Sequence, residues 1–252
     1  MPSVSVVMPV YNCDKFVKES IDSILSQTFK DFEFIILNDG STDETWDIVR
    51  TYDDDRIVLC DSSDNVKIPR RRNQGIKMAK GKYIAIHDGD DISLPNRLEL
   101  QVNFLENHLD IFCVGGHADK IDEYGKVSGQ MNYPPINHEE IEKQYGFSPT
   151  NPIIDPTTMF RRDDFLEIGG YSEDKAIYTV PDFDLWGRAL LAGKKFANMM
   201  VKLIQYRINP DGMTLKNKMA MIRSHVMVVT NYHKSLNFKS LRKEKNGNKK
   251  DY

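Results

Sequence analysis

Cysteine is scarce and scattered. Cys13, Cys60 and Cys113 are the only three in 252 residues, and no two form a Cys-x-x-Cys pair. That argues against a disulfide framework or a Cys-type zinc site. Reduced thiols in a cytoplasmic protein are the simplest reading. No run of 18 apolar residues occurs, so no transmembrane helix is expected. The N-terminus lacks a basic segment followed by a long apolar stretch. It enters Ser3-Val4-Ser5-Val6-Val7-Met8 directly, which reads as a first strand rather than a signal peptide. Excess positive charge is also missing. The formal net charge is −3, so no nucleic-acid partner is expected. The six histidines (His87, His108, His117, His138, His225 and His233) show no His-Glu-x-x-His spacing. No Gly-x-Gly-x-x-Gly follows the first strand, which counts against a dinucleotide-dependent oxidoreductase.

What is present is an alternation of strands and helices over the first hundred residues. Residues 4–8 form an apolar run that stops at Pro9. Val17, Ile21, Ile24 and Leu25 then fall on one helical face. A buried-type strand is expected over 32–37. Ser41-Thr42-Asp43-Glu44 reads as a capping box opening a helix that carries Trp46 and Val49 inward. A short strand over 56–60, a helix over 70–79 stopped by Gly81, and a strand over 83–87 follow. Pro95 opens a helix with Leu98, Val102 and Leu105 inward. Such alternation predicts an α/β fold with a mainly parallel sheet. Beyond residue 110 the pattern loosens. Strands are expected near 111–114, 157–160 and 201–208. Residues 120–156 read as a long loop region with one short helix over 138–145. Helices are expected over 183–191 and, as a final amphipathic element, over 215–235.

Ligands of open parallel sheets bind at the carboxyl ends of the strands. Three strands here end in polar clusters: Pro9-Val10-Tyr11-Asn12, then Asn38-Asp39-Gly40-Ser41-Thr42-Asp43, then Asp88-Gly89-Asp90-Asp91. Asp88 and Asp90 are spaced i, i+2, so an extended chain points both the same way. Neighbouring carboxylates repel unless a cation sits among them, and oxygen-only ligands favour Mg²⁺ or Mn²⁺. A bland alternative is a set of turn and cap aspartates before Pro95. Asp39 is a candidate acceptor for a nucleobase N–H, although a turn and helix cap would explain it equally.

Together these motifs resemble a family 2 glycosyltransferase of GT-A fold. The likeness rests on Val6-Val7-Met8-Pro9-Val10-Tyr11-Asn12, Leu37-Asn38-Asp39-Gly40-Ser41-Thr42-Asp43, Arg72-Asn73-Gln74-Gly75-Ile76, and Gly81-Lys82-Tyr83-Ile84-Ala85-Ile86-His87-Asp88-Gly89-Asp90-Asp91. It continues more weakly through Met159-Phe160-Arg161-Arg162, Gly169-Gly170-Tyr171 and Asp182-Phe183-Asp184-Leu185-Trp186. The resemblance implies an inverting transfer from a nucleotide-diphospho-sugar, most often a UDP-sugar, to a saccharide or lipid-linked saccharide acceptor. It implies that Pro9, Tyr11 and Asn12 line the base and ribose pocket. Asp39 would contact the base, with Arg72 near it. Asp88 would contact the ribose, and Asp90 (with Asp88) would hold a divalent metal, Mn²⁺ or Mg²⁺. Asp182 falls at the position of the catalytic base, with Asp184 its nearest rival.

The chain departs from the family pattern at three places. Pro181 stands where relatives carry an acid, Asn209 near an expected metal-binding histidine, and Asp155-Pro156 where His-Pro is usual. These departures keep open a non-catalytic nucleotide-sugar binding protein of the same fold. The implied organisation is a GT-A domain over 1–214, with donor half 1–110 and acceptor half 111–214, followed by a helix and basic tail over 215–252.

Other residues admit two readings. His87 lies next to the site and more simply ends a strand. Trp186 either stacks on an acceptor sugar or packs in the core. Arg70, Arg71 and Arg72 can neutralise phosphate, or Arg70 and Arg71 can form a solvated helix start. The tail carries seven Lys/Arg against two acids from residue 234 onward. Behind Met219, Ile222, Val226 and Val229 it is a candidate for peripheral contact with anionic lipid at the inner membrane face. The plainer expectation is a helix packed on the core with a solvated tail.

Overall fold

The computed structural model describes residues 1–148, 150–209 and 218–247, with side chains of 219–237 in the last segment. Strands β1 (Val4–Val10), β2 (Phe32–Asn38), β3 (Ile57–Cys60) and β4 (Tyr83–Ile86) form a parallel set in the order β3-β2-β1-β4. Every residue of β1, β2 and β4 is buried. Helices cover both faces of this set, which is why these strands are written as unbroken apolar runs rather than as alternations. Val4, Val6 and Met8 face one core with Val17, Ile21 and Ile24 of α1 (Asp14–Leu25) and Trp46 and Val49 of α2 (Thr45–Val49). Val7 faces the other, with Ile76 of α3 (Ile68–Met78). The two-residue strand period thus divides one apolar run between two cores.

The second half continues the same sheet with mixed pairing. After β5 (Ile92–Ser93) and α4 (Arg97–Asn107) come β6 (Ile111–Ile121), β7 (Val127–Met131) and α5 (His138–Phe147). Then follow β8 (Met159–Arg161), α6 (Arg162–Ile168), α7 (Pro181–Leu191), β9 (Lys195–Arg207) and α8 (Lys218–Gly247). Strand β8 enters antiparallel between β4 and β6. Strand β6 runs parallel to β9, and β5 pairs antiparallel with the far end of β9. The α/β class and the flanking helices are as the sequence predicts.

Several local expectations are corrected. Strand β1 does not stop at Pro9 but runs through it to Val10. Strand β4 pairs with β1 only at Val4–Val7, so the missing N–H of Pro9 interrupts no ladder on that side. The capping box does not form. Ser41 Oγ accepts from the Asn12 N–H, helix α2 begins only at Thr45, and Asp43 Oδ1 accepts the Thr45 N–H. The loop region hides β7, a polar strand that hairpins onto an extension of β6. Helix α8 runs beyond residue 235 to Gly247, and residues 248–252, expected to be disordered, lie outside the described residues. Trp186 is fully buried, edge-on to Phe196 and Phe160, so it belongs to the core rather than to a sugar-stacking surface.

Gly81 shows how closely the chain returns to β1. A Cβ there would lie 2.5 Å from the Ser5 backbone nitrogen, which cannot give way without moving the strand. Gly81→Ala should cost about 1–3 kcal/mol in urea unfolding. Gly129→Ala, with nothing closer than 3.6 Å, is the control expected to stay near wild type. Equal midpoints for the two variants would contradict this account of the β1–β4 contact.

Candidate active site

The carboxyl ends of β1, β2 and β4 lie side by side, as their parallel registers require. At the first, Tyr11 is exposed and Asn12 adopts a positive φ of 48°. Asn12 Oδ1 accepts the Thr42 N–H at 2.8 Å, and its own N–H reaches Ser41 Oγ at 3.2 Å. Asn12 therefore pins the β1 end to the β2 end. Pro9 sits buried behind them in β1.

At the end of β2, the Asp39 carboxylate is almost fully enclosed. It accepts the Val66 N–H (2.9 Å), the Lys67 N–H (3.0 Å) and Arg71 Nε (3.0 Å). Gly40 has φ +75°, and a Cβ there would approach Ser63 O to 2.8 Å, so the turn requires glycine. The arginine that pairs with Asp39 is Arg71, while Arg72, expected near the base, pairs with Asp88 and Asp155. Arg71 is buried rather than part of a solvated helix start.

Beyond β4 the chain carries four consecutive site positions. Asp88 is partly exposed and accepts from Arg72 Nη2 at 2.7 Å. Gly89 is confined; a Cβ would lie 3.0 Å from Cys13 Sγ and 3.1 Å from a Val10 methyl. Burial, then the Asp88 charge, pushes the Asp90 carboxyl up to about 6, and Arg207 and a hydrogen bond from Asn209 oppose the rise. Asp91 is buried. Its Oδ1 accepts the Arg207 N–H at 2.8 Å, its Oδ2 has no partner, and burial drives its pKa well upward. His87 faces away from the site. It is buried near Ser20 Oγ and Arg97, and burial holds its pKa well down, so it supports the loop as a neutral ring.

Arginines hold this cluster from three directions. Arg207, at the end of β9, donates to Asp90 O, Asp122 O and Glu19 Oε2, and lies over the Phe16 ring. Arg97 of α4 donates to Ile86 O. Arg72 of α3 spans Asp88 and Asp155. Asp155 belongs to a short 3-10 turn, Asp155–Thr157, and burial raises its pKa to about 7 against the pull of Arg72.

Asp182 completes the group. It stands at the second position of α7, is partly buried, and accepts Asn151 Nδ2 at 2.8 Å. Burial raises its pKa, and the Arg72 charge is the largest opposing influence. Asp184 instead pairs with Arg188 at 2.8 Å, whose guanidinium also holds Ile168 O and Gly170 O. Asp182, not Asp184, therefore joins the Arg72 cluster. Arg207 and Asn151 were not singled out as site residues by the sequence. Asp155 appeared only as a departure from a family pattern, and Arg71 only as a candidate phosphate neutraliser or part of a solvated helix start.

Among the described residues no group of three His, Cys, Asp or Glu is arranged to hold a metal ion. The donor set still suits a hard divalent cation. Asp88 and Asp90 offer oxygen, their mutual repulsion helps raise Asp90, and Mg²⁺ or Mn²⁺ commonly takes one or two protein carboxylates and completes its shell with phosphate and water.

Comparison with known proteins gives the chain a family and a fold. The model of the family described as glycosyl transferase family 2 matches residues 5–169. A putative glycosyltransferase of Bacillus subtilis, EpsE, is 34% identical over 90% of this chain and 81% of its own length. The Escherichia coli protein WfaP is 30% identical over 88% of this chain and 84% of its own. Its full name is UDP-Glc:alpha-D-GlcNAc-diphosphoundecaprenol beta-1,3-glucosyltransferase. Among solved structures, S. aureus TarS 1-349 in complex with UDP-GlcNAc superposes with a TM-score of 0.69 at 21% identity, over 85% of this chain and 61% of that one. Mannosyltransferase PcManGT from Pyrobaculum calidifontis, in complex with GDP-Man and Mn²⁺, superposes at 0.64 with 14% identity, over 95% and 75%. These structural likenesses are of fold.

Arg72 ion-pairs with both Asp88 and Asp155, so its removal leaves each carboxylate without that guanidinium. Arg72→Met should lower stability by about 3–5 kcal/mol, and adding Asp155→Asn should recover part of it. Strictly additive losses in this double-mutant cycle, measured by chemical denaturation, would show that the pair does not act as a unit.

Proposed function

The chain belongs to glycosyl transferase family 2, and from that premise we propose that it is an inverting, metal-assisted transferase using a nucleotide-diphospho-sugar, by preference a UDP-sugar. The acceptor is a hydroxyl of a saccharide or lipid-linked saccharide in glycan biosynthesis. The observation that carries the reading is the meeting of Asp182 with Asp88 around Arg72, beside Asp90. A donor-side carboxylate pair and a separate carboxylate of raised pKa are what the two ends of such a transfer need.

In this reading Pro9, Tyr11, Asn12 and Asp39 form the wall for base and ribose. Three of the Asp39 lone-pair sites are filled by Val66, Lys67 and Arg71, and a fourth on Oδ2 remains for a base N–H. Asp88 serves the ribose. Asp90, with Asp88, is the ligand for a divalent cation, Mn²⁺ or Mg²⁺, whose charge offsets that of the departing diphosphate. Asp182 removes the proton of the acceptor hydroxyl as that oxygen attacks the anomeric carbon opposite the leaving group. Burial brings its pKa towards working pH, and Asn151 fixes one of its oxygens. The UDP-sugar preference draws on the donor in the name of WfaP and on the ligand in the TarS structure. The lipid-linked acceptor draws on the name of WfaP alone.

Two outcomes follow. Asp182→Asn should reduce turnover by roughly 10²–10⁴-fold while UDP binding with Mn²⁺ is kept. UDP binding without turnover from any donor in the wild type, unchanged in this variant, would instead favour a non-catalytic binding protein. Asp90→Ala should abolish the Mn²⁺-dependent part of UDP binding.

A further outcome concerns pH. A carboxyl whose folded pKa is raised to about 6 holds its proton below that pH, so protons compete with the cation. Mn²⁺-dependent UDP affinity, read by calorimetry, should strengthen as pH rises through about 6, with protons released on binding. Stability without a cation runs the opposite way. Asp90 favours the fold fully below its ordinary carboxylate range, and that contribution is lost as pH rises through about 6. Metal-linked affinity that is flat between pH 5 and 7 would count against Asp90 as ligand.

A further inference from the structure

Helix α8 packs on the body of the protein through one face only. Ser224 Oγ donates to Ala176 O at 2.7 Å, and His225 stacks on Phe183 at 3.9 Å between centroids. Val228 is buried, and Tyr232 meets the Tyr145 ring edge-on at 4.8 Å. Among the described residues the neighbouring face has no such partners. Met219 is 66% exposed, Ile222 50% and Val226 60%, at the i, i+3, i+7 spacing of one stripe. Leu236 extends the exposed apolar surface at the far end. Phe147, 84% exposed at the end of α5, adjoins it through His233. The face is thus a ridge of large apolar side chains in water on a helix already anchored elsewhere.

The charge beside this ridge has one sign. Every charged residue from Lys218 to Lys243 is Lys or Arg, and residues 234–252 carry seven basic residues against two acids. The whole chain is nevertheless at −3, so the rest of the protein is acidic. We propose that the outer face of α8, with Met219, Ile222, Val226 and Leu236 as its apolar ridge, docks on an anionic lipid bilayer. Apolar side chains enter the interface while Lys and Arg meet the lipid phosphates. A second copy of this chain fits less well. A two-fold contact through α8 sets the same helix against itself, and the charged residues of 218–243 are all positive. An acidic body also keeps the remaining surface off an anionic membrane, so docking has one orientation. His225 on the packed side touches Phe183, the residue after Asp182. The docked helix therefore brings the Asp182 end of α7 towards the bilayer, where a lipid-linked acceptor is presented.

The test uses the full chain in co-sedimentation with vesicles of phosphatidylcholine alone and of phosphatidylcholine with phosphatidylglycerol. Binding to the anionic vesicles should be at least about tenfold tighter and should weaken with added salt. Ile222→Ser with Val226→Ser should lower it about tenfold or more, with thermal stability and turnover on a soluble acceptor unchanged. Lys234→Gln with Lys239→Gln and Arg242→Gln should remove much of the preference for anionic lipid. No vesicle binding by the wild type, or undiminished binding by the Ile222/Val226 variant, overturns the proposal. A wild-type dimer that this variant converts to monomer, with vesicle binding unaffected, overturns it too and assigns the ridge to a second copy.

Discussion

Gathering Asp88, Asp90, Asp91, Asp155 and Asp182 at one end of a sheet sets the terms for the rest of this molecule. Each carboxylate loses hydration there and feels the charge of its neighbours. The fold answers with three buried guanidiniums drawn from distant stretches of chain: Arg72 on α3, Arg97 on α4 and Arg207 at the end of β9. None is a surface ion pair of the kind that contributes little. Arg207 alone joins α1 through Glu19, the loop after β4 through Asp90 and Asp91, and the β6–β7 turn through Asp122. The expected donor and acceptor halves are thereby held together by the same charges that make the site.

The compensation is uneven, and the unevenness carries information. Asp39 is satisfied by two backbone N–H groups and Arg71. That part of the pocket is rigid before any ligand arrives. On the other side burial, with neighbouring carboxylates adding to it, raises Asp90 to about 6 and Asp155 to about 7 despite the arginines. In the proposed function, the bonded side would recognise a planar base, and the buried, mutually repelling carboxylates would take a cation and diphosphate.

The parallel half of the fold and the position of the aspartate clusters were legible because both follow from local pattern. Unbroken apolar runs mark strands buried on two faces, and polar residues at their carboxyl ends must then share one edge. Arg71 and Arg72 were not separable in the same way. Adjacent helical residues point about 100° apart, so one reaches Asp39 and the other Asp88, a division that spacing alone does not reveal. Arg207 reads as an ordinary strand residue until β9 is seen to end beside the β4 loop. Ser41 has the pattern of a helix cap, but Asn12 on another strand takes up its hydroxyl. Strand β7 reads as loop because it is a short, largely exposed hairpin arm on an extension of β6, with only Met131 packed against a small core cluster. For Arg71, Arg72, Arg207 and Ser41 the missing signal was a contact between residues far apart in sequence.

Asp182 shows how such contacts decide a chemical property. Its place in the first turn of α7 argues for a depressed pKa, because the helix N-terminus favours a charged carboxylate. The backbone N–H of Phe183 and the Arg72 charge act in that same direction. Burial acts against all of them and prevails, so the net shift is upward. Asp184 occupies the same helical turn but is rotated towards Arg188, which neutralises it within α7. The two acids share a sequence motif and a helix, yet only Asp182 is enclosed with Asp155 and Arg72. The difference therefore follows from the partner each acid faces, Asn151 for Asp182 and Arg188 for Asp184, not from any difference in the residues themselves.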